Sequence, residues 1–216
     1  MNSTESEISY AITNTYSTLN KLTSSTKNIW FVCHGMGYLS KYFIRYFNGL
    51  NPDENYIVAP QAQSKYYSTP QFKHVGASWL TRENTEMETN NIITYFDAIF
   101  ARERIPIAIG TEEKNVIVLG YSQGVSVAMR YIAKRQINCS QLILHSGGIP
   151  NELKKEDFEF FNGKAKLVYG LNDEYLNEER MKEELEKAKN LFGNRLEVIS
   201  FEGVHEVNTS LINTLI

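Results

Sequence analysis

The sequence predicts an α/β protein with a mostly parallel central sheet and helices on both of its faces. Short apolar runs alternate along the chain with segments of helical period, and strands that alternate with helices form parallel βα units. Several of these runs are apolar at almost every position, as strands are when helices cover both faces of the sheet. The length of 216 residues, with 42 % apolar and 22 % charged residues, predicts one globular domain over residues 1–216.

The segments before residue 56 predict two regions of strand and one helix. Residues 7–20 are rich in β-branched and aromatic types, which favours a β-hairpin or two short edge strands. Residues 28–33 are nearly all apolar and predict a buried strand. Residues 39–50 carry apolar side chains at i, i+3 and i+4, which is the spacing of an amphipathic helix.

Three further segments extend to residue 103. Residues 56–60 predict a buried strand that ends at a proline. Residues 61–78 have no clear period and predict a long loop, a kind of segment that is often functional in compact domains. Residues 83–103 have apolar positions at helical spacing and predict a helix.

The second half of the chain continues the alternation. The lysine- and glutamate-rich run at 178–189 is interpreted as the solvated face of a helix, because its charges lie at i, i+4 spacing. The predicted strands are 116–119, 141–145, 166–169 and 196–201, and the predicted helices are 123–135, 176–192 and a short C-terminal helix.

A strand, a sharp turn and a helix follow one another between residues 115 and 128. Four apolar residues lead into Gly120-Tyr-Ser-Gln-Gly124, and small residues compatible with a helix follow. This order is that of a nucleophile elbow, in which Ser122 lies on a strained turn and its hydroxyl is held above the helix N-terminus. The alternative is a glycine-rich βα turn with an incidental serine, which requires no histidine or acid later in the chain.

A nucleophilic serine needs a base, and the base needs an acid that orients it. In an α/β-hydrolase they occur in the order serine, acid, histidine, and catalytic groups collect beyond the carboxyl ends of the strands. Asp173 and His205 each lie a few residues beyond a predicted strand end and follow Ser122 in that order. We therefore predict Asp173 as the acid and His205 as the base.

Three other residues compete for these roles. Glu174 adjoins Asp173, but its longer side chain suits the position less well. His145 precedes the acid in the chain and is interpreted as a core histidine or as one that supports the site. His74 lies in the predicted loop and is interpreted as a surface or substrate-lining residue.

Acyl transfer develops negative charge on a carbonyl oxygen, and two backbone N–H groups can stabilise that charge. One donor is the residue after the nucleophile, Gln123, and the other comes from the loop after the early strand. In His34-Gly-Met-Gly37 the glycines allow the backbone to turn an N–H inward, and we predict Met36 as the second donor. His34 is expected to anchor the loop, and a plain glycine turn is the alternative.

These motifs together resemble the phospholipase/carboxylesterase family of small serine hydrolases, which includes the acyl-protein thioesterases. The resemblance implies an α/β-hydrolase fold without a large cap domain, with the triad at Ser122, Asp173 and His205 and the oxyanion donors at Met36 and Gln123. The motifs that carry it are Phe31-Val-Cys-His-Gly-Met-Gly37, Val58-Ala-Pro60, Ala77-Ser-Trp79, Gly120-Tyr-Ser-Gln-Gly124, Ser146-Gly-Gly148, Gly170-Leu-Asn-Asp173 and Gly203-Val-His205.

The chain also departs from the usual pattern of that family. After the acid it reads Asp173-Glu-Tyr-Leu-Asn177 where Asp-x-Val-Val-Pro is usual, and it has Gly203-Val-His205 where Gly-His is usual. The oxyanion loop lacks the common Gly-Asp. These changes concern the substrate more than the chemistry.

Aromatic residues supply the candidates for a substrate pocket, since their rings give apolar walls with a polar tip. Trp79, Tyr66 and Tyr67 are expected to line or cover an acyl pocket. For Trp79 a simple place in the core is an equal alternative.

Several function classes are disfavoured by composition. The net charge of −3 and the lack of a Lys/Arg run argue against nucleic acid. The four histidines show no zinc-ligand spacing, no phosphate-binding glycine loop occurs, and no cofactor or metal is expected. No signal segment or membrane-spanning run is recognised, and two scattered cysteines favour a reduced, cytoplasmic protein. No feature indicates an oligomeric state.

The sequence therefore predicts a serine esterase that acts on a small-molecule ester with a short or medium acyl chain, with thioesters as a further substrate class. Two alternatives stay open. One is a catalytically silent hydrolase fold that serves as a binding module, and the other is a peptidase or acyltransferase with the same triad.

Overall fold

The computed structural model describes residues 3–107 and 114–216. The strands are β1 (Tyr16–Leu19), β2 (Asn28–Cys33), β3 (Asn55–Pro60), β4 (Ser64–Tyr67), β5 (Val75–Ser78), β6 (Asn115–Tyr121), β7 (Gln141–His145), β8 (Lys164–Gly170) and β9 (Leu196–Phe201). The α-helices are α1 (Ser40–Phe43), α2 (Thr85–Glu103), α3 (Gln123–Arg135), α4 (Glu178–Phe192) and α5 (Thr209–Ile212).

Seven strands form the central sheet in the order β1-β3-β2-β6-β7-β8-β9. All neighbours pair in parallel except β1, which pairs antiparallel with β3 at the edge. This is the α/β-hydrolase fold, as the sequence predicts, and the described residues include no large cap domain. Because the strands are parallel, the segments that follow β2, β6, β8 and β9 meet at one edge of the sheet.

The side chains of β2 show how the sheet builds the core. Ile29 and Phe31 join one apolar cluster, which also contains buried residues of α2, α3 and α4. Trp30 and Val32 point to the opposite face and pack with residues of α1 and α5. The side chains of a strand point alternately to the two faces of the sheet. Because both faces of β2 are buried, almost every position of this strand is apolar.

The predicted hairpin at residues 7–20 is wrong in its first half. Only Tyr16–Leu19 forms a strand, and residues 3–15 form neither helix nor strand. The side chains of Ile8, Tyr10 and Ile12 are exposed. Strand preference depends on packing against neighbours, and these side chains have no surface on which to pack.

The predicted loop at residues 61–78 contains a two-stranded antiparallel hairpin of β4 and β5. All four residues of β4 are exposed, so the strand has no apolar face and leaves no alternating pattern in the sequence. The helix predicted at residues 39–50 is shorter than expected. It consists of α1 and a 3-10 turn over Ile44–Phe47.

No helix within the described ranges is long and apolar enough to cross a membrane.

The first turn of α3 packs directly on the end of β2. A Cβ atom at Gly124 would lie 2.1 Å from the carbonyl oxygen of Cys33, which is closer than any real Cβ contact. We predict that Gly124→Ala lowers the free energy of unfolding by more than about 3 kcal/mol. This loss exceeds that of most overpacked cores, because the new methyl group contacts backbone atoms, which must shift to make room for it. Urea unfolding followed by circular dichroism measures the change.

Ser126→Ala is the matched control for Gly124→Ala, since it changes a residue of the same turn. The Ser126 hydroxyl donates only to the Gln123 carbonyl at 3.0 Å, so its loss should cost about 1 kcal/mol or less. Equal stability losses in the two variants would contradict the packing argument.

Candidate active site

Ser122 lies at the turn between β6 and α3. Its φ of 53° and ψ of −119° place it in a region that side-chain-bearing residues rarely adopt, at a cost of about 1–3 kcal/mol. The Ser122 N–H donates to the His145 carbonyl at 2.9 Å, and the Val125 N–H donates to the Ser122 carbonyl at 3.0 Å. These bonds hold the strained turn in the form of a nucleophile elbow.

The structure brings Ser122, His205 and Asp173 together in one hydrogen-bonded chain. Ser122 Oγ lies 2.9 Å from His205 Nε2, and His205 Nδ1 lies 2.7 Å from Asp173 Oδ2. A carboxylate only accepts, so the imidazole proton is on Nδ1 and Nε2 accepts from the serine hydroxyl. This arrangement can remove a proton from Ser122.

Asp173 is buried and held from both sides. Its second oxygen, Oδ1, accepts the backbone N–H groups of Tyr175 at 2.8 Å and Leu176 at 3.0 Å. The other oxygen is therefore directed at the imidazole. Glu174, the neighbouring candidate for the acid, is exposed.

His205 is fixed through its backbone. The Tyr121 hydroxyl donates to the His205 carbonyl at 3.0 Å, and the tyrosine ring lies 5.4 Å from the imidazole between centroids. The side chain of His205 is 16 % exposed, so the base reaches the cavity but is largely shielded from water.

The two predicted oxyanion donors, Met36 and Gln123, both line the same cavity as Ser122. Within residues 3–107 and 114–216 neither backbone N–H donates a hydrogen bond, which leaves both able to bind a ligand oxygen. The loop that carries Met36 is tied to the β4–β5 hairpin, since the Gly37 N–H donates to the Ala77 carbonyl at 2.8 Å.

The side chain of Gln123 joins α3 to the segment after β5. Its Oε1 accepts the Trp79 N–H at 2.8 Å, and its Nε2 donates to the Leu80 carbonyl at 2.7 Å. Both ends of the amide are therefore satisfied by backbone, which fixes the helix N-terminus beside the hairpin. Nothing in the sequence pattern indicated this second role of Gln123.

Of the three aromatic residues expected to line or cover an acyl pocket, one lies in the core and two lie on the β4–β5 hairpin, where the Tyr66 hydroxyl would be 3.7 Å from a Cβ atom at Gly37. Trp79 is 1 % exposed, and its indole N–H donates to the His34 carbonyl at 2.8 Å, so its place is in the core. Tyr66 and Tyr67 lie on the exposed strand β4. None of them is among the described residues that line the cavity at Ser122.

Two further histidines support the site from beneath. His34 is buried, its Nε2 accepts the Ala62 N–H at 3.1 Å, and its ring packs 4.9 Å from that of Trp79. His145 is also buried, and its Nδ1 lies 3.1 Å from Ser146 Oγ. Their positions agree with the anchoring and core roles predicted from the sequence. His74 is exposed on the β4–β5 hairpin.

Burial decides the charge of both buried histidines. It lowers the pKa of His34 from 6.5 to about 4, against a smaller opposing effect of the Gly35 carbonyl. Burial lowers the pKa of His145 to about 3, with a further contribution from the nearby His205. Both imidazoles are therefore neutral at pH 7.

A cavity of about 410 Å³ opens above Ser122. Several residues of its wall were not predicted from the sequence, above all Arg180, which is exposed, as expected for a solvated helix face, but also borders the cavity. A cation in the first turn of a helix is unfavourable with respect to the helix dipole, and this unusual position was the one feature of the sequence that could have indicated a functional role for Arg180. The cavity is lined by Met36, Ser122, Gln123, Ser126, Ser146, Gly147, Gly148, Tyr175, Leu176, Arg180 and His205.

The sheet, the elbow and the hydrogen-bonded triad geometry define the class of the protein as an α/β-hydrolase. The chain belongs to the phospholipase/carboxylesterase family, whose profile matches residues 14–215. No curated protein gives a significant match to the sequence.

Solved structures of similar fold include three hydrolases. Esterase PE8 has a TM-score of 0.69 at 18 % identity, over 95 % of this chain and 100 % of its own. A phospholipase/carboxylesterase from Dyadobacter fermentans DSM 18053 has a TM-score of 0.68 at 18 % identity, over 95 % of this chain and 97 % of its own. Acyl-protein thioesterase 2 from Zea mays has a TM-score of 0.66 at 13 % identity, over 94 % of this chain and 96 % of its own. Identities this low show a common fold alone.

The neutral buried histidines predict a loss of stability in acid. Below about pH 6.5 the unfolded chain protonates both imidazoles, but the folded chain does not until about pH 4 for His34 and about pH 3 for His145. The unfolded state thus binds more protons, and the free energy of unfolding falls as the pH is lowered through this window, by a few kcal/mol in all. Urea unfolding at a series of pH values from 7 to 4 measures it.

The variant His34→Gln should flatten this pH dependence, because it removes one of the two linked groups. His74→Gln removes an exposed imidazole and serves as the control, with a profile like that of the wild type. A His34→Gln profile as steep as the wild-type profile would assign the acid sensitivity to other groups.

Proposed function

We propose that this protein is a serine esterase that hydrolyses short- to medium-chain carboxylic esters through an acyl-enzyme. One observation carries the proposal. Ser122, on a strained elbow, lies 2.9 Å from an imidazole that is itself 2.7 Å from a buried carboxylate. Such a chain activates a hydroxyl that is otherwise a weak nucleophile.

In the proposed acylation step, Ser122 Oγ attacks the ester carbonyl carbon while His205 Nε2 takes the hydroxyl proton. Asp173 orients the imidazole and stabilises its cationic form without taking the proton. The backbone N–H groups of Met36 and Gln123 stabilise the negative oxygen of the tetrahedral intermediate, and the loss of one such donor typically slows a reaction by about 10²–10³-fold. Protonated His205 then gives its proton to the leaving alcohol.

Deacylation repeats these steps with water as the nucleophile. His205 takes a proton from water, which attacks the acyl carbonyl, and the proton then passes to Ser122 Oγ as the acid leaves. The route uses side chains, backbone N–H groups and water. Thioesters follow the same path with a thiol as the leaving group.

The size and lining of the cavity support small substrates. Its volume of about 410 Å³ lies near the lower end of ligand sites, and glycine and serine residues make up much of its wall. Met36, Tyr175 and Leu176 give this wall apolar contacts for a short acyl chain, and a long chain would extend out of a cavity of this volume. Short acyl chains therefore fit the proposal better than long ones.

Two broader expectations remain predictions. Cys33 and Cys139 are both free and buried, which is compatible with the cytoplasmic location expected from the sequence. The small-molecule ester remains the only class of partner that we propose.

Labelling with a fluorophosphonate probe tests the proposed function directly. We expect the wild-type protein to be modified at Ser122, as identified by mass spectrometry, and to hydrolyse 4-nitrophenyl butyrate. Ser122→Ala should lose both reactions while its circular dichroism spectrum is unchanged. A folded wild-type protein that takes no label would contradict the proposal and favour a binding module.

Asp173→Asn tests the role of the carboxylate. The amide can still accept the Tyr175 and Leu176 N–H groups, but its NH₂ faces His205 Nδ1 and forces the imidazole proton to Nε2. Nε2 then cannot accept from Ser122, and we expect kcat to fall by about 10⁴-fold. Steady-state kinetics on 4-nitrophenyl butyrate measure this fall.

Glu174→Gln is the matched control for the acid, since Glu174 is the exposed neighbour of Asp173. It should leave kcat within about two-fold of the wild type, because it removes a charge largely screened by solvent. A large loss in Glu174→Gln together with a small one in Asp173→Asn would move the acid to Glu174.

A further inference from the structure

Arg180 lies in the wall of the cavity that contains Ser122 and His205. It is the only lysine or arginine among the described residues of that wall. A Cβ atom at Gly148 would lie 3.1 Å from Arg180 Nη2, so the absence of a side chain at Gly148 leaves room for the guanidinium. Arg180 is exposed to solvent and borders the same cavity as the Ser122 hydroxyl.

The backbone of Arg180 is fixed by the start of helix α4. Asn177 caps the helix, and its Oδ1 accepts the Arg180 N–H at 3.0 Å. The loop just before the cap carries Asp173, whose carboxylate holds the N–H groups of Tyr175 and Leu176. Asp173 and the backbone of Arg180 therefore belong to one hydrogen-bonded segment of the chain.

The guanidinium has little protein to bind. Its Nη1 donates to the Tyr175 carbonyl at 3.3 Å, and within the described ranges Arg180 forms no ion pair. Glu184, one turn further along α4, also lies near Gly148, since its Oε1 would be 3.6 Å from a Cβ atom at that position. Its carboxylate, however, accepts the Ile149 N–H at 2.7 Å and pairs with Lys187 at 3.1 Å. Most of the five N–H donors of Arg180 are thus available to a ligand.

The position of this cation is not explained by helix stability. Its place in the first turn of α4 opposes the helix dipole, which favours anions at that end. The exposed acids Glu178 and Glu179 occupy the preceding positions and suit the dipole. An arginine that borders a cavity and forms no ion pair within the described ranges is a ready partner for a planar anion, which it can bind through two parallel hydrogen bonds.

We propose that Arg180 binds an anionic group of the substrate, so that the preferred substrates are esters that carry a carboxylate close to the scissile bond. This inference rests on the proposed esterase function and specifies its substrate class. The carboxylate belongs either to the acyl part or to the alcohol part of the ester. In both cases it lies in the cavity with the guanidinium while the ester carbonyl is at Ser122.

Three esters that differ only in the replacement of one terminal methyl group by a carboxylate separate these possibilities. Ethyl butyrate is neutral, monoethyl succinate carries the carboxylate on the acyl part, and butyryloxyacetate carries it on the alcohol part. We expect the wild-type enzyme to show a higher kcat/KM for at least one anionic ester than for ethyl butyrate, measured by chromatography of the released acid at constant ionic strength. The preferred anionic ester identifies the part of the substrate that Arg180 binds.

Arg180→Gln should lower the ratio of kcat/KM for that anionic ester to kcat/KM for ethyl butyrate by about 10- to 100-fold, as expected for a hydrogen bond to a charged group. Arg180→Lys keeps the charge but loses the paired donors, and it should restore only part of the ratio. The matched control is Lys182→Gln, which removes an exposed positive charge from the same helix outside the cavity wall and should leave the ratio unchanged.

The outcomes distinguish this inference from the proposed function. Equal losses on all three esters in Arg180→Gln would show a structural role and overturn the inference. Fluorophosphonate label on Ser122 without any preference for an anionic ester would also overturn it and leave the esterase function intact. Absence of label on the folded wild-type protein would refute the esterase function itself.

Discussion

The close approach of the α3 N-terminus to the sheet is the constraint on which the site depends. Gly124 packs against the Cys33 carbonyl, and a Cβ atom at Gly147 would lie 2.3 Å from the Ser122 carbonyl. The ends of β2, β6 and β7 are thereby held around one turn of backbone. This packing holds the two proposed oxyanion donors, which belong to different segments, at one side of the cavity.

The other half of the site depends on contacts between two loops. The Leu171 N–H donates to the Phe201 carbonyl and the Asn172 N–H to the Gly203 carbonyl, each at 2.9 Å. These bonds continue the pairing of β8 with β9 beyond the strands. The separation of the acid from the imidazole is thus set by backbone hydrogen bonds, which are less easily disturbed than side-chain contacts.

The fold and the members of the candidate triad could be predicted because they follow from local pattern. Parallel strands bring their carboxyl ends together, so the order of Ser122, Asp173 and His205 along the chain was sufficient to propose them. The β4–β5 hairpin and Arg180 could not be found in the same way. Strand β4 of the hairpin has no buried face, so its sequence shows no alternation of apolar and polar residues. Arg180 lies in a charged helical run, and only the tertiary structure shows that its side chain borders the cavity.

Strain at the elbow has a thermal consequence. A cost of about 1–3 kcal/mol at Ser122 corresponds to roughly 2–12 °C of melting temperature in a protein of this size. This strain occurs at Ser122, where a relaxed backbone would turn the serine hydroxyl away from the His205 imidazole. In the proposed mechanism, heat resistance and the reactivity of Ser122 are therefore opposed, and a more heat-resistant variant should gain its stability in the packing around the sheet.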